Sequence, residues 1–147
     1  MKKFTLALVA VLSAILMCFG MAACSSGVAG NTYVFSDVKI EYPEGTTDEM
    51  KTMIEAGLAS MKEGMKDTGF KFKDDGTCVS VVKGEEQADE VIYYVQDGNT
   101  IYLYETKEEA DAGNKDEAEM TLKVNGSKLE RSGEEGGVNM TIVFKKK

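Results

Sequence analysis

Phe70-Lys71-Phe72-Lys73-Asp74-Asp75-Gly76-Thr77-Cys78-Val79-Ser80-Val81 is two runs of alternating apolar and polar residues joined by a turn dipeptide. Alternation with period two is the pattern of a half-buried β-strand. Asp-Gly suits a two-residue hairpin turn, whose positive backbone angles match the twist of the strands it joins. With Asp75-Gly76 as that turn, Phe72 stands opposite Val79 and Phe70 opposite Val81. These four share one face, and Lys71, Lys73, Cys78 and Ser80 take the other. One face then belongs to a core and the other to solvent, as antiparallel sheets allow.

The same reading extends in both directions. Downstream, Asp97-Gly98 turns a second hairpin that pairs Tyr94 with Ile101 and Ile92 with Leu103. Asn125-Gly126 turns a third, pairing Leu122 with Leu129 and Met120 with Arg131. The run 133–137 is a looser turn into a last strand, where Val138, Met140, Ile142 and Phe144 alternate inward. Upstream, residues 32–42 form a first strand. Tyr33 and Phe35 alternate on one parity and Val38 and Ile40 on the other, so a bulge is expected at Ser36-Asp37. Pro43 and Gly45 end it.

Between the first strand and the first hairpin lies one amphipathic helix, about 47–67. Thr46 and Glu49 fit a capping box. Met50, Met53, Ile54, Leu58, Met61 and Met65 recur at helical spacing. Gly57 and Gly64 lie on that stripe, where they permit close approach to another element. Met53, Leu58 and Met61 have two readings: a face packed over the sheet, or the wall of an adaptable apolar pocket, since methionine repacks easily.

The chain is thus mainly β, an antiparallel up-and-down meander of seven or eight strands. Closure into a barrel removes both exposed edges, and about eight strands can enclose one small ligand.

Residues 1–23 read as an export leader. Lys2 and Lys3 precede an apolar run over 4–19, followed by small residues up to Cys24, which is the order of a secretory signal. Met21-Ala22-Ala23-Cys24 resembles the lipobox of bacterial lipoproteins. The resemblance implies cleavage before Cys24 and a diacylglyceryl thioether on it, two acyl chains being enough for stable anchoring. A tether over 24–30 and one domain over 31–147 follow. The protein is expected at the cell membrane, lipid-anchored and facing outside the cytoplasm. With Cys18 removed and Cys24 lipidated, Cys78 has no partner for a disulfide.

The domain resembles the small lipocalin-like lipoproteins of bacteria. The matching features are the lipobox, Gly30-Asn31-Thr32-Tyr33 leading into the first strand, the helix after it, 70–77 and Asp97-Gly98-Asn99. The resemblance implies a lipocalin-like barrel.

Composition narrows the chemistry. The chain has 25 acidic and 17 basic residues, and Lys2 and Lys3 belong to the leader. Such a surface repels nucleic acid and anionic lipid headgroups, so neither is expected as a partner beyond the anchor itself. There is no His, which removes the usual general base and the commonest zinc ligand. No catalytic residue, metal or cofactor is expected. The carboxylate runs around Glu85 to Glu90 and Glu105 to Glu119 lack the spacing of a calcium loop and read as solvated loops.

Two features point to recognition. Tyr93, Tyr102 and Tyr104 fall on the outward face of the second hairpin, where they form either a docking patch or a covered sheet face. Arg131, the one arginine, shares the inward face of Leu122 and Leu129. It is expected at the barrel mouth, paired with an acidic side chain or poised for an anionic ligand. The expected function is a non-enzymatic, lipid-anchored binding module for a small apolar or amphipathic molecule. The alternative is a protein-interaction or structural lipoprotein of the envelope with a solid barrel.

Overall fold

The strand pattern closes on itself. In the computed structural model, which describes residues 27–147, eight antiparallel strands pair each with the next, and β8 returns to β1. They are β1 (Thr32–Glu41), β2 (Gly69–Phe72), β3 (Thr77–Val82), β4 (Glu85–Asp97), β5 (Thr100–Tyr104), β6 (Met120–Asn125), β7 (Lys128–Glu135) and β8 (Val138–Lys146). Helix α1 (Asp48–Gly64) follows β1. A short helix α2 (Lys107–Ala112) and a 3-10 turn (Lys115–Glu117) join β5 to β6. The leader 1–23 and Cys24 lie outside the described residues. Among the described residues no helix is long and apolar enough to cross a membrane.

The barrel has two unlike ends. The start of β1, the end of β8 and the β2–β3, β4–β5 and β6–β7 turns lie at one. There Val28 is fully buried, and its N–H donates to Gln96 Oε1 at 3.1 Å. Gly30 N–H donates to the Phe72 carbonyl at 2.9 Å, and the Asn31 amide donates to the Gly27 carbonyl at 3.2 Å. Part of the expected tether thus folds under the barrel and closes it. Above this plug, Tyr33, Phe72, Cys78, Ile101, Leu122, Leu129 and Phe144 make a filled core. Each leucine, isoleucine and phenylalanine among them contributes about 1.5–3 kcal/mol on burial. The other end is the mouth, where α1, α2 and the β3–β4 and β7–β8 turns lie.

Several registers differ from expectation. Phe72 pairs with Cys78 and Phe70 with Ser80, one residue away from the expected match. The turn holds three residues, Asp74-Asp75-Gly76, closed by Lys73 N–H to the Thr77 carbonyl at 2.8 Å. Asp75 Oδ1 accepts from Thr77 N–H at 3.0 Å, and Gly76 takes φ +83°. That local bond favours the longer loop, a known alternative in hairpins. A one-residue slip exchanges faces. Cys78 and Ser80 therefore point inward and Val79 and Val81 outward. The two valines are buried nonetheless, beneath the Lys71–Glu86 ion pair that joins β2 to β4 across β3.

The β4–β5 and β6–β7 hairpins are displaced by two residues, with Tyr94 opposite Leu103 and Val124 opposite Leu129. An even displacement keeps every side chain on its expected face. The acidic run 85–90 is strand rather than loop, because Lys83 and Gly84, at φ 52° and 81°, turn β3 directly into β4. Gly136-Gly137 makes a tight two-residue turn instead of a loose one. The bulge in β1 falls between Phe35 and Asp37, as expected.

Helix α1 begins one residue later than the expected cap, with Thr47 Oγ1 accepting from Met50 N–H at 3.3 Å. Its methionine stripe is not packed away. No residue of α1 is buried, Met53 is 71% exposed, and a Cβ at Gly57 or Gly64 would meet open space. The sheet has already closed on itself, so only the chain just beyond the helix, at Met65, reaches the interior cluster.

Candidate ligand-binding site

The inward faces of six strands end in side chains that do not fill the mouth. Phe70 of β2, Ser80 of β3, Ile92 of β4, Met120 of β6, Arg131 of β7 and Ile142 of β8 surround a cavity of about 320 Å³. Phe144 forms its floor, its ring 5.2 Å from that of Phe70 in a T-shaped contact. Met65 and Thr68, where α1 runs into β2, form part of the wall. The volume lies at the lower end of the range for small-molecule pockets, about 300–1,000 Å³.

Arg131 is opposite Ile142, whose side chain packs against the interior cluster, so the arginine starts from the inward face. It is exposed at the rim and also borders a second hollow of about 240 Å³ between β7 and β8. The expected acidic partner is missing: among the described residues no carboxylate lies within 4 Å of the guanidinium. Glu134 and Glu135, three and four residues on, border the second hollow without pairing with it. The mouth thus joins an apolar floor to one planar cation with no direct ion pair, and Glu90 is the one carboxylate that also lines the cavity. Such a cation binds a carboxylate or phosphate through two parallel hydrogen bonds.

The other candidate residues lie elsewhere. Met53 projects into solvent, and Leu58 and Met61 are half-buried along α1 without lining the cavity. Tyr93, Tyr102 and Tyr104 do share the outward face of β4 and β5, but the segment carrying α2 and the 3-10 turn lies over them. Tyr104 is 1% exposed, and the Lys115 ammonium sits 5.4 Å from the centre of the Tyr102 ring. Lys115 is held there by Asp97 at 2.6 Å. The cover is neither α1 nor the tether, and it is partial, for Tyr93 and Tyr102 stay half-exposed. Cys78 is fully buried against Phe72, and burial pushes its thiol up to about 12. Among the described residues no group of three or more Cys, Asp or Glu is placed to hold a metal.

Phe70, Ile92, Met120, Ile142 and Phe144 were legible as inward-facing but not as site residues. Alternation identifies a face, whereas a cavity depends on which layer of that face is left unfilled. Comparison with family models, curated proteins and solved structures finds no match for this chain.

Proposed function

We propose that this protein is a non-enzymatic binding module, anchored by lipid on Cys24 outside the cytoplasm, that holds a small amphipathic molecule in the barrel mouth. The observation that carries the reading is the largely apolar cavity rimmed by Arg131, which makes no direct ion pair although Glu90 lines the same cavity. An unpaired cation costs little at an exposed rim, and an apolar tail beneath it gains from leaving water. The ligand that suits both is a medium-length chain ending in a carboxylate or phosphate.

The competing reading is a solid barrel that docks another envelope protein. It is favoured by the filled lower half of the barrel, where the core leaves room only near the mouth. On the tyrosine face Tyr104 is buried while Tyr93 and Tyr102 stay half-exposed, so the acidic strands and loops would carry most of the contact.

Native mass spectrometry of the protein purified from its own membranes separates the two. A co-purified species of one mass, released by organic solvent, supports the binding module. Apo protein alone, together with failure of the mouth to take up a long-chain carboxylate, supports the solid-barrel reading.

A further inference from the structure

The acidic average of the sequence conceals a separation of charge along the barrel. Lys73, Lys123, Lys128, Lys145, Lys146 and Lys147 all lie at the closed end, by the β2–β3 and β6–β7 turns and the end of β8. None is ion-paired among the described residues, for the paired lysines are Lys39, Lys51, Lys62, Lys71, Lys107 and Lys115. Lys128 and Lys145 stand directly opposite each other on β7 and β8. Like charges so placed are unfavourable in a sheet unless something else uses them. The carboxylates of this end are mostly engaged. Asp97 pairs with Lys115, Asp75 holds the Thr77 N–H, and Glu130, across from Lys123, is 3.8 Å from Lys39, leaving Asp74. The mouth carries Glu85, Glu86, Glu134 and Glu135 at its turns and Glu90 along β4, against Lys83 and Arg131, with Glu86 paired to Lys71.

The chain enters the fold at this same basic end, through Gly27 and Val28. Cys24 is three residues before Gly27. Three residues span at most about 11 Å, so a lipid on Cys24 cannot lie farther than that from the closed end. We infer that the closed end is a membrane-docking surface, its lysines seated on anionic phospholipid headgroups, with the mouth directed away from the bilayer. The orientation rests on the anchored reading of Cys24, and the lysine surface adds to it. Lysines near an anionic surface attract it over about a Debye length, and a short anchor holds them within that range. The net acidity of the chain does not oppose this, because at the closed end Asp97 and Glu130 are ion-paired and the unpaired lysines outnumber the remaining carboxylates Asp74 and Asp75. The expectation that anionic headgroups are repelled is thereby replaced for this face alone.

The test uses the full chain expressed in its host and reconstituted into phosphatidylcholine vesicles with or without about a third phosphatidylglycerol, a strongly anionic surface. Ser127→Cys places a fluorophore at the closed end and Glu135→Cys places one at the mouth. Cys78 is buried and takes no label. A headgroup-attached quencher should quench the probe at position 127 several-fold more than that at position 135 in anionic vesicles. The contrast should shrink in 0.5 M salt and in the variant Lys128→Gln/Lys145→Gln/Lys146→Gln. Equal quenching at both positions, stronger quenching at the mouth, or a contrast indifferent to salt and to the variant overturns the inference. Salt acts without any substitution, so a poorly folded variant does not decide the result. Intact mass reports the anchor separately. If no lipid is found, the unlipidated chain is titrated with the same vesicles. Salt-sensitive binding to anionic vesicles, weakened about tenfold or more by the triple variant, keeps the docking surface, and no binding ends it.

Discussion

Phe72 and Cys78 stand opposite each other on β2 and β3, both with no solvent exposure. The ring of Phe72 also makes T-shaped contacts with Tyr33 at 5.9 Å and Tyr94 at 5.0 Å, so the thiol sits in an aromatic layer near the plug. A sulfur there is a small apolar filler, and burial alone accounts for its raised pKa of about 12. At pH 8 the thiol therefore stays protonated, and reactivity belongs to the thiolate. Iodoacetamide should leave Cys78 untouched in the native protein and modify it fully in denaturant. Rapid native modification would place Cys78 on the outer face and restore the two-residue turn.

Gly69 is the tightest position in the sheet. A Cβ there would lie 1.9 Å from the Tyr33 carbonyl oxygen and 2.8 Å from Val34 Cα, both backbone atoms that cannot swing aside. Gly69→Ala should cost on the order of 3 kcal/mol and lower the melting temperature sharply. A melting temperature within a degree or two of wild type would mean that β1 and β2 do not pair as Val34 with Gly69.

Gly57 behaves in the opposite way. Nothing lies within 4 Å of its missing Cβ, so added bulk has no wall to strike. Gly57→Ala should gain about 1 kcal/mol of helix propensity and raise the melting temperature by a few degrees. A loss of stability would show that α1 packs on the barrel through that face.

Helix α1 is fastened to the bulge of β1 by Lys62 Nζ, 2.8 Å from Asp37 Oδ1. That ammonium, with the Val38 N–H at 2.8 Å, holds the Asp37 carboxyl below the usual carboxylate range. A lowered folded-state pKa gives stability that is present above the unfolded value, near 4, and lost as pH falls through the folded value. Both partners are about half exposed, so the effect is local rather than global. Hydrogen exchange over residues 48–64 should accelerate beyond its intrinsic rate as the pH falls below the unfolded carboxyl value, near 4, and Lys62→Ala should remove that pH dependence. Unchanged pH dependence in the variant would show that another contact holds the helix.

The strand-and-turn order, the bulge in β1 and the faces of β4 to β7 were legible in the sequence. Local alternation sets those faces, and a two-residue displacement preserves them. Arg131 reached the inward face for that reason, although its opposite residue on β6 is not the expected Met120. The β2–β3 hairpin failed where one side-chain hydrogen bond, Asp75 to Thr77, selects between two turn lengths. The β3–β4 turn was hidden because Glu85 to Glu90 has no apolar alternation to mark a strand. The helix stripe was real in period, but no period can say that the barrel closes without needing it. The cavity was least legible of all, being the space that side chains from six strands leave unfilled.

The central claim is that Arg131 holds the anionic head of a molecule whose tail lies on Phe70, Ile92 and Phe144. The direct measurement is titration of the protein, stripped of bound lipid, with dansyl-undecanoic acid, for wild type and Arg131→Met. Saturable fluorescence enhancement at one equivalent is expected for wild type. Affinity about tenfold weaker or more is expected in the variant, as for one charged hydrogen-bonded contact. The melting temperature should be unchanged, because Arg131 has no acidic partner to lose. No saturable binding by wild type, or equal binding by the two proteins, would contradict the claim.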